Sequence, residues 1–374
     1  MNVRLGVQTR VVIGMSVALV VASLPSTPTR RASAATASGI YHQTNLVSDQ
    51  PGVALIQDPD LVNCWGISKS GSSPFWVANN GTGTATLYAG DVNGSPFTKN
   101  SLVVTIPGGL PTGTVFNTGG ANDFVVKASG GAQGRAAFLF ASQAGIISGW
   151  NPNVPPPAPS KQAQVGASPT AVYTGLAIGQ VGTATFLYAA DFEHRRIDVF
   201  DGTFHIATAF DGLFSDPNIP NSYSIFNIQN IGGKLYLSYA QQSHKSPEDE
   251  TDKGSGFVDV FDTSGNLLQR LIRGNHLKSP WGMAIAPDNF GAFSDALIVG
   301  NFADGQLHAY DPESGKYLGE FKHEDGKPIV IDGLWGITFG NGGNGGDKNA
   351  LYFASGPDDE THGLFGSLRA VVQP

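Results

Sequence analysis

The sequence predicts an all-β protein folded as a six-bladed β-propeller. Three observations support this prediction: a motif recurs along the chain, each repeat holds several short apolar segments, and the composition suits strands and turns. The 374 residues include 49 glycines and 23 prolines, and 14% are charged. Much glycine, few charges and short apolar runs are typical of many strands joined by tight turns.

The repeated motif is clearest where tryptophan precedes glycine. Copies are "CWGIS" at Cys64, "PWGMAIAP" at Pro280 and "LWGITFG" at Leu334, with a weaker copy "YTGLAIG" at Tyr173. By position, "NDFVVKAS" at Asn122 and "IFNIQNI" at Ile225 fill the two remaining places. Six blades are therefore expected to start near residues 61, 121, 170, 222, 279 and 332.

Most repeats contain four short strand-like segments, and four strands in about 50 residues are typical of a propeller blade. The last repeat ends at "GLFGSLRAVV" and lacks a fourth segment. The segment "YHQTNLVSDQP", Tyr41 to Pro51, precedes the first repeat and is otherwise unassigned. We expect this N-terminal strand to complete the last blade and close the ring, which removes free sheet edges. A linear solenoid is the structural alternative.

The N-terminus has the order of a secretory signal peptide. Two arginines precede an apolar run from Val11 to Leu24, and small residues lead to a predicted cleavage site after Ala34. Residues 1–34 are thus predicted to be a signal peptide and residues 35–374 a single propeller domain. The run is short for a membrane span, although an uncleaved anchor is the alternative. We expect a secreted protein, extracellular or periplasmic, without a stable span after cleavage.

The net charge of −8 argues against nucleic acid as a partner, because nucleic-acid binding needs a basic surface. We expect a monomer whose partner is an extracellular small molecule, glycan or protein.

Two stretches of equal length share an apolar rhythm. "LYAADFEHRRIDVFD" (187–201) aligns with "LIVGNFADGQLHAYD" (297–311), so that Asp191 matches Asn301, but the central charges of the first are not repeated. The shared frame is therefore structural, and any special role lies in the variable residues.

The first of these stretches resembles an NHL-type propeller blade. The mature chain also resembles a family of secreted bacterial proteins of uncharacterised function, through "QTNLVSDQPG", "DPDLVNCWGIS", "FNIQNIGGKLYLSYA" and "GNGGNGGDKNALYFASGPDDETHGLFG". Many members of that family carry a C-terminal membrane-sorting tail, whereas this chain ends "RAVVQP". The resemblance implies a propeller and no particular reaction.

In a propeller, the loops between second and third strands and those entering each first strand surround one mouth of the central channel. Loops on a rigid scaffold are the usual place for a site. Oxygen ligands suited to Ca²⁺ are expected at this mouth: Asn63, Asn122, Asp123, Asp191, Asn301 and Asp332. The alternative is that such residues hydrogen-bond nearby backbone and fix the loops.

Proton-transfer candidates at the same mouth are His194, Glu193 and His362, the last beside the acidic residues 358–360. The sequence has no G-x-S-x-G, H-E-x-x-H or P-loop motif. Three functions stay open: a binding module that uses the channel-mouth loops, a calcium-dependent hydrolase or lactonase of the gluconolactonase and paraoxonase type, and a propeller lyase that uses a histidine base and Mg²⁺.

Overall fold

The computed structural model describes residues 39–128, 130–154, 161–165, 170–242, 256–274 and 276–371. The predicted signal peptide, residues 1–34, lies outside them. The described chain is all-β and forms six blades around a channel, which confirms the predicted fold class.

Each blade is an antiparallel sheet whose strands run outward from the channel in chain order. Blade 1 comprises Cys64–Ser68, Phe75–Asn79, Thr84–Ala89 and Thr98–Thr105; blade 2 comprises Pro111–Phe116, Phe138–Ser142, Ile146–Trp150 and Lys161–Val165. Blade 3 comprises Tyr173–Val181, Ala184–Asp191 and Arg196–Asp201; blade 4 comprises Tyr223–Ile231, Lys234–Gln241, Phe257–Phe261 and Leu267–Arg273. Blade 5 comprises Pro280–Ile285, Leu297–Asn301, Leu307–Tyr310 and Tyr317–Glu320; blade 6 comprises Leu334–Phe339, Ala350–Ser355 and Leu364–Ala370.

The N-terminal strand Tyr41–Ser48 closes the ring. It pairs antiparallel with Leu364–Ala370 and so supplies the outer strand of blade 6, and the short strand Ile56–Gln57 pairs parallel to it. Tyr41 is fully buried, and its hydroxyl donates to the Phe290 carbonyl of blade 5 at 2.9 Å. The predicted closure is therefore confirmed.

The predicted start of blade 2 near residue 121 is wrong. The inner strand is Pro111–Phe116, whereas Val125–Lys127 pairs with Gln133–Arg135 as a separate hairpin inserted between the first and second strands. In the inner strand, Thr112 and Gly113 stand where blades 1, 5 and 6 have tryptophan and glycine. Because the aromatic residue is missing, the more apolar hairpin gave the stronger strand pattern.

The glycine of the repeated motif allows neighbouring inner strands to approach closely. A Cβ on Gly336 would lie 2.4 Å from the Trp65 carbonyl oxygen, and one on Gly113 would lie 2.4 Å from the Leu176 nitrogen. Blade 4 has Asn227 at the same position. The motif therefore marks packing around the channel.

Blade 3 differs from the other five because its sheet has three strands. Where a fourth strand would run, residues 202–222 form a connection that holds the short 3₁₀ turn Thr208–Phe210. One isolated bridge joins Ile206 to Phe200 of the third strand. Among the described residues, the other helical turns are Gly291–Phe293 and Pro357–Glu360. Within the part of the chain that is described, no helix has the length and apolarity to cross a membrane.

Candidate functional site

The channel has two ends that the strand direction distinguishes. We call the end at which the inner strands begin the upper end, and it also carries the loops between second and third strands. The lower end is where the inner strands finish. The sequence placed the candidate site at the upper end.

An aromatic cluster closes the channel at this upper end. Trp65 and Trp335 stack with centroids 3.5 Å apart, and Phe302 stacks on the other side of Trp335 at 4.0 Å. Trp281 of blade 5 meets Trp65 of blade 1 edge-on at 6.2 Å, so the contacts cross the channel. Every member is at most 9% exposed. We call this cluster the aromatic plug; its members are Trp65, Phe192, Phe226, Ala240, Trp281, Phe302 and Trp335.

Asn63, a predicted calcium ligand, instead fixes the plug. Its side-chain oxygen accepts hydrogen bonds from the indole nitrogens of Trp65 at 3.0 Å and Trp335 at 3.2 Å. Its amide nitrogen donates to Glu360 at 2.9 Å. The backbone of Asn63 has φ 46°, a left-handed conformation that asparagine tolerates well.

Asp191 and Asn301 hold the loops that follow their strands. The Asp191 carboxylate accepts from the Val172 backbone nitrogen at 3.2 Å and contacts His194 Nδ1 at 2.7 Å. Burial raises the pKa of Asp191, against the effect of these two bonds. Asn301 donates to the His276 carbonyl at 2.9 Å. Both residues thus fix local backbone, as the alternative interpretation of their alignment predicted.

The six predicted calcium ligands do not lie at one end of the channel. Asn122 and Asp123 belong to the connection between the first and second strands of blade 2 and therefore lie at the lower end, where Asp123 accepts from the Gly120 nitrogen at 2.7 Å. Asp332 remains at the upper end and accepts from the Asp358 nitrogen at 2.9 Å. Among the described residues, no group of three His, Cys, Asp or Glu side chains is arranged to hold a metal ion. Calcium binding stays a prediction.

The predicted proton-transfer residues are also separated. His194 pairs with Asp191 in blade 3, whereas His362 pairs through Nδ1 with Asp49 at 2.7 Å beside blade 6. Glu193 is exposed, and its backbone carbonyl accepts from a neighbouring amide at 3.0 Å. Blades 3 and 6 face each other across a six-bladed ring, so the two histidines belong to different sites.

A polar cavity of about 290 Å³ occupies the lower channel, with Trp281 of the plug among its lining residues. Lys69 is the one charged residue in its lining. The Lys69 ammonium donates to the Thr338 hydroxyl at 2.8 Å and lies 6.0 Å from the centre of the Phe75 ring. Thr114 also lines the cavity, and its hydroxyl is buried without a hydrogen-bond partner.

A larger cavity of about 670 Å³ lies between blades 3 and 4, beside the three-stranded sheet. We call it the blade-3 groove. One wall is the strand segment from Arg196 to Val199, and the opposite wall is the connection from Phe210 to Asp216. Tyr223 and Tyr239 contribute from blade 4. The groove adjoins the outer edge of the three-stranded sheet, beside the connection that stands in place of a fourth strand.

Charged groups surround the apolar lining of this groove. Arg196 pairs with Asp198 at 2.8 Å, and buried Asp216 receives two bonds of 2.8 Å from Arg270 and an ion pair of 3.0 Å from Arg273. These arginines hold the pKa of Asp216 below its usual range, against the opposing effect of burial. Asp216 thus anchors the connection to blade 4.

Arg195 is the remaining cation at the groove. It is exposed, it donates to the Asn221 carbonyl, and it has no carboxylate partner among the ion pairs of the described residues.

Sequence reasoning missed Lys69 and Thr114 at the lower end. Lys69 stands in "SKSGSS", which has the composition of a turn, and Thr114 belongs to the inner strand that the repeat analysis misplaced. A lysine directly after a "WG" strand was the available signal, since no other inner strand with that motif is followed by a cation.

Two uncharacterized proteins of Acanthamoeba polyphaga mimivirus are related to this chain. One is 33% identical over 333 residues, covering 86% of this chain and 78% of the relative. The other is 33% identical over 335 residues, covering 86% and 84%. The chain belongs to the family of these proteins. Both relatives are viral, so they support neither the expected bacterial source nor secretion. No family model matches the chain.

Solved structures with a similar fold include a streptogramin B lyase at 11% identity, with a TM-score of 0.46 and coverage of 88% of this chain and 97% of that chain. A glucose dehydrogenase at 13% identity has a TM-score of 0.46 and coverage of 89% and 100%. Hydrazine synthase of Kuenenia stuttgartiensis, at 13% identity, has a TM-score of 0.47 and coverage of 82% and 77%.

Proposed function

We propose that this propeller is a non-enzymatic binding protein that takes up an extended peptide segment of a partner in the blade-3 groove. One observation carries the proposal: the sheet that lacks its fourth strand also borders the larger of the two cavities described above. Its volume of about 670 Å³ is within the usual range of ligand sites.

The open sheet edge has the polarity that an added strand needs. The Val199 carbonyl accepts from the Ala207 nitrogen and the Asp201 nitrogen donates to the His205 carbonyl, so alternate residues of this strand point their polar groups outward. Ile197 is the next residue in this series, and no backbone partner covers its outer side in the described part of the chain. A peptide strand could pair there, with main-chain hydrogen bonds as the source of affinity.

The side chains around the edge suit a peptide with apolar residues and one acidic residue. Ile197, Ile219 and Tyr223 provide apolar contacts. Arg195 retains donors for a carboxylate, and a guanidinium binds a carboxylate through a planar pair of hydrogen bonds.

We place this binding outside the cytoplasm, because residues 1–34 have the order of a signal peptide. The partner would then be an extracellular or periplasmic protein. The lactonase and lyase alternatives stay predictions, and they are checked by assaying a lactone and ester panel with added Ca²⁺ or Mg²⁺.

The test begins with a display library of random short peptides selected on the mature protein. Affinity of recovered peptides is measured by fluorescence anisotropy, and each backbone nitrogen of the best peptide is then methylated in turn. Strand addition predicts losses of roughly tenfold or more at alternate positions, because only alternate residues point their N–H groups at the sheet edge. Equal sensitivity at all positions would contradict strand addition.

Two protein variants locate the site. Ser215→Trp places an indole in the groove and should abolish peptide binding, whereas Ser72→Trp on an exposed turn of blade 1 should not. Arg195→Glu should weaken an acidic peptide roughly tenfold, with the exposed Lys316→Glu of blade 5 as the charge-matched control. Unchanged binding by Ser215→Trp would remove the groove as the site.

A further inference from the structure

The lower channel cavity contains a cation without a counterion. The Lys69 side chain is partly buried, the other residues that line the cavity are neutral, and Lys69 takes part in no ion pair with the described residues. The bond to the Thr338 hydroxyl satisfies one of its three donors. A charged group withdrawn from water is costly unless an opposite charge accompanies it.

Three amide side chains in the lining form hydrogen bonds with backbone groups of the protein. Asn227 donates to the Trp281 carbonyl at 2.7 Å, Asn230 donates to the Ile178 carbonyl at 2.7 Å, and Gln229 accepts from the Met283 nitrogen at 3.2 Å. These bonds fix the wall, and Lys69 is the one charged group that lines the cavity.

We infer that the lower channel cavity binds a small organic carboxylate, with its anionic group beside the Lys69 ammonium. The volume of about 290 Å³ limits the ligand to a small molecule, and the aromatic plug closes the channel above it. This site is separate from the blade-3 groove and does not depend on the proposed peptide binding.

The electrostatics of the cavity agree with this geometry. Burial lowers the pKa of Lys69 to about 8, because no acidic group stabilises the charged form. The other lining residues are neutral: they come from the inner strands of the six blades and the residues that follow them, and none is Asp, Glu, His or Arg. A bound carboxylate would supply the missing negative charge and favour the protonated amine.

The experiment compares charged and neutral ligands of equal shape on the mature protein. Acetate, pyruvate and benzoate are titrated by calorimetry against acetamide, pyruvamide and benzamide, with inorganic phosphate as a second anion. We expect at least one carboxylate to bind roughly tenfold or more tightly than its amide. Affinity should fall as the pH rises above about 8, since the amine then loses its charge.

Variants assign any binding to the cavity. Lys69→Met should weaken binding of the carboxylate while leaving the weak binding of the amide unchanged. Lys234→Met removes an exposed lysine at the same end of the molecule and should have no effect. Binding that persists in Lys69→Met, or tight binding of phosphate alone, would overturn the inference, as would the absence of binding by all three carboxylates.

Discussion

The two ends of the channel are built from the same six inner strands, yet they differ in character. At the upper end, residues of the repeat fill the channel with aromatic rings, and the loops above are tied by Asn63, Asp191 and Asn301. At the lower end, the same strands leave a polar cavity whose lining holds a single cation, Lys69.

This difference shows what repetition means in this chain. Trp65, Trp281 and Trp335 recur because each blade must meet its neighbours around one axis, so the strongest sequence motif marks packing. Lys69 and Thr114 occur once each at their positions, and both line the lower cavity. A functional role is therefore better sought among the residues that interrupt the repeat.

The largest effect on stability is expected from truncating Trp335, the residue at the centre of the aromatic plug. Trp335 is 2% exposed and stacks on both Trp65 and Phe302. Trp335→Ala should lower the free energy of unfolding by about 3–5 kcal/mol, the usual cost of truncating a buried aromatic residue. Urea denaturation measures this change, and Leu318→Ala at a 47% exposed position should cost less than about 0.5 kcal/mol. A small effect at Trp335 would show that the plug does not stabilise the ring.

A single methyl group tests the contact between inner strands. Gly336→Ala places a Cβ 2.4 Å from the Trp65 carbonyl oxygen, and backbone cannot yield as a flexible side chain would. The expected loss is about 1–3 kcal/mol from overpacking. Gly71→Ala is the matched control, because no atom lies within 4 Å of its added Cβ. Thermal unfolding of both variants provides the measurement, and equal melting temperatures would argue against close strand packing.

A variant of Asn63 distinguishes a structural role of this residue from a metal-binding role at the upper end. Asn63→Gly keeps the left-handed backbone accessible but removes the acceptor of two indole N–H groups. We expect a loss of about 1–2 kcal/mol that is the same with chelator or with Ca²⁺, since buried unpaired donors cause it. Asn93→Gly, an exposed position with φ 50°, is the control. A loss seen only in the presence of Ca²⁺ would support the metal site instead.

The sequence was sufficient to predict most of the fold, because propeller blades are local repeats with regular strand and turn patterns. The closing strand Tyr41–Ser48 was predictable as well, since the last repeat lacked a partner for it. Blade 2 was misassigned because Thr112 replaces the aromatic residue of the motif, and the hairpin around Val125–Lys127 is more apolar.

The candidate sites were much less predictable. The aromatic plug closes the upper end of the channel because rings from distant blades contact one another. Contacts between residues so far apart in the sequence cannot be predicted from local patterns. The absence of a fourth strand in blade 3 was also not predictable, because residues 202–222 are long enough and apolar enough to form a strand. Asp216 pairs with arginines more than 50 positions away, a relation that no local pattern contains.

The smallest expected effect concerns the charge at the lower end. Burial lowers the pKa of Lys69 to about 8 from its ordinary value of 10.5. Below pH 8 the amine is charged in both the folded and the unfolded protein, and burying this charge lowers the free energy of unfolding. As the pH rises from about 8 to 10.5, the folded amine is neutral while the unfolded one still binds a proton, and wild type should gain stability relative to Lys69→Met. We expect a gain of about 1 kcal/mol or less, because water reaches part of the side chain. Urea denaturation of both proteins across this pH range measures the difference. A constant difference would mean that Lys69 is fully hydrated and that the lower end, like the upper one, offers no uncompensated charge.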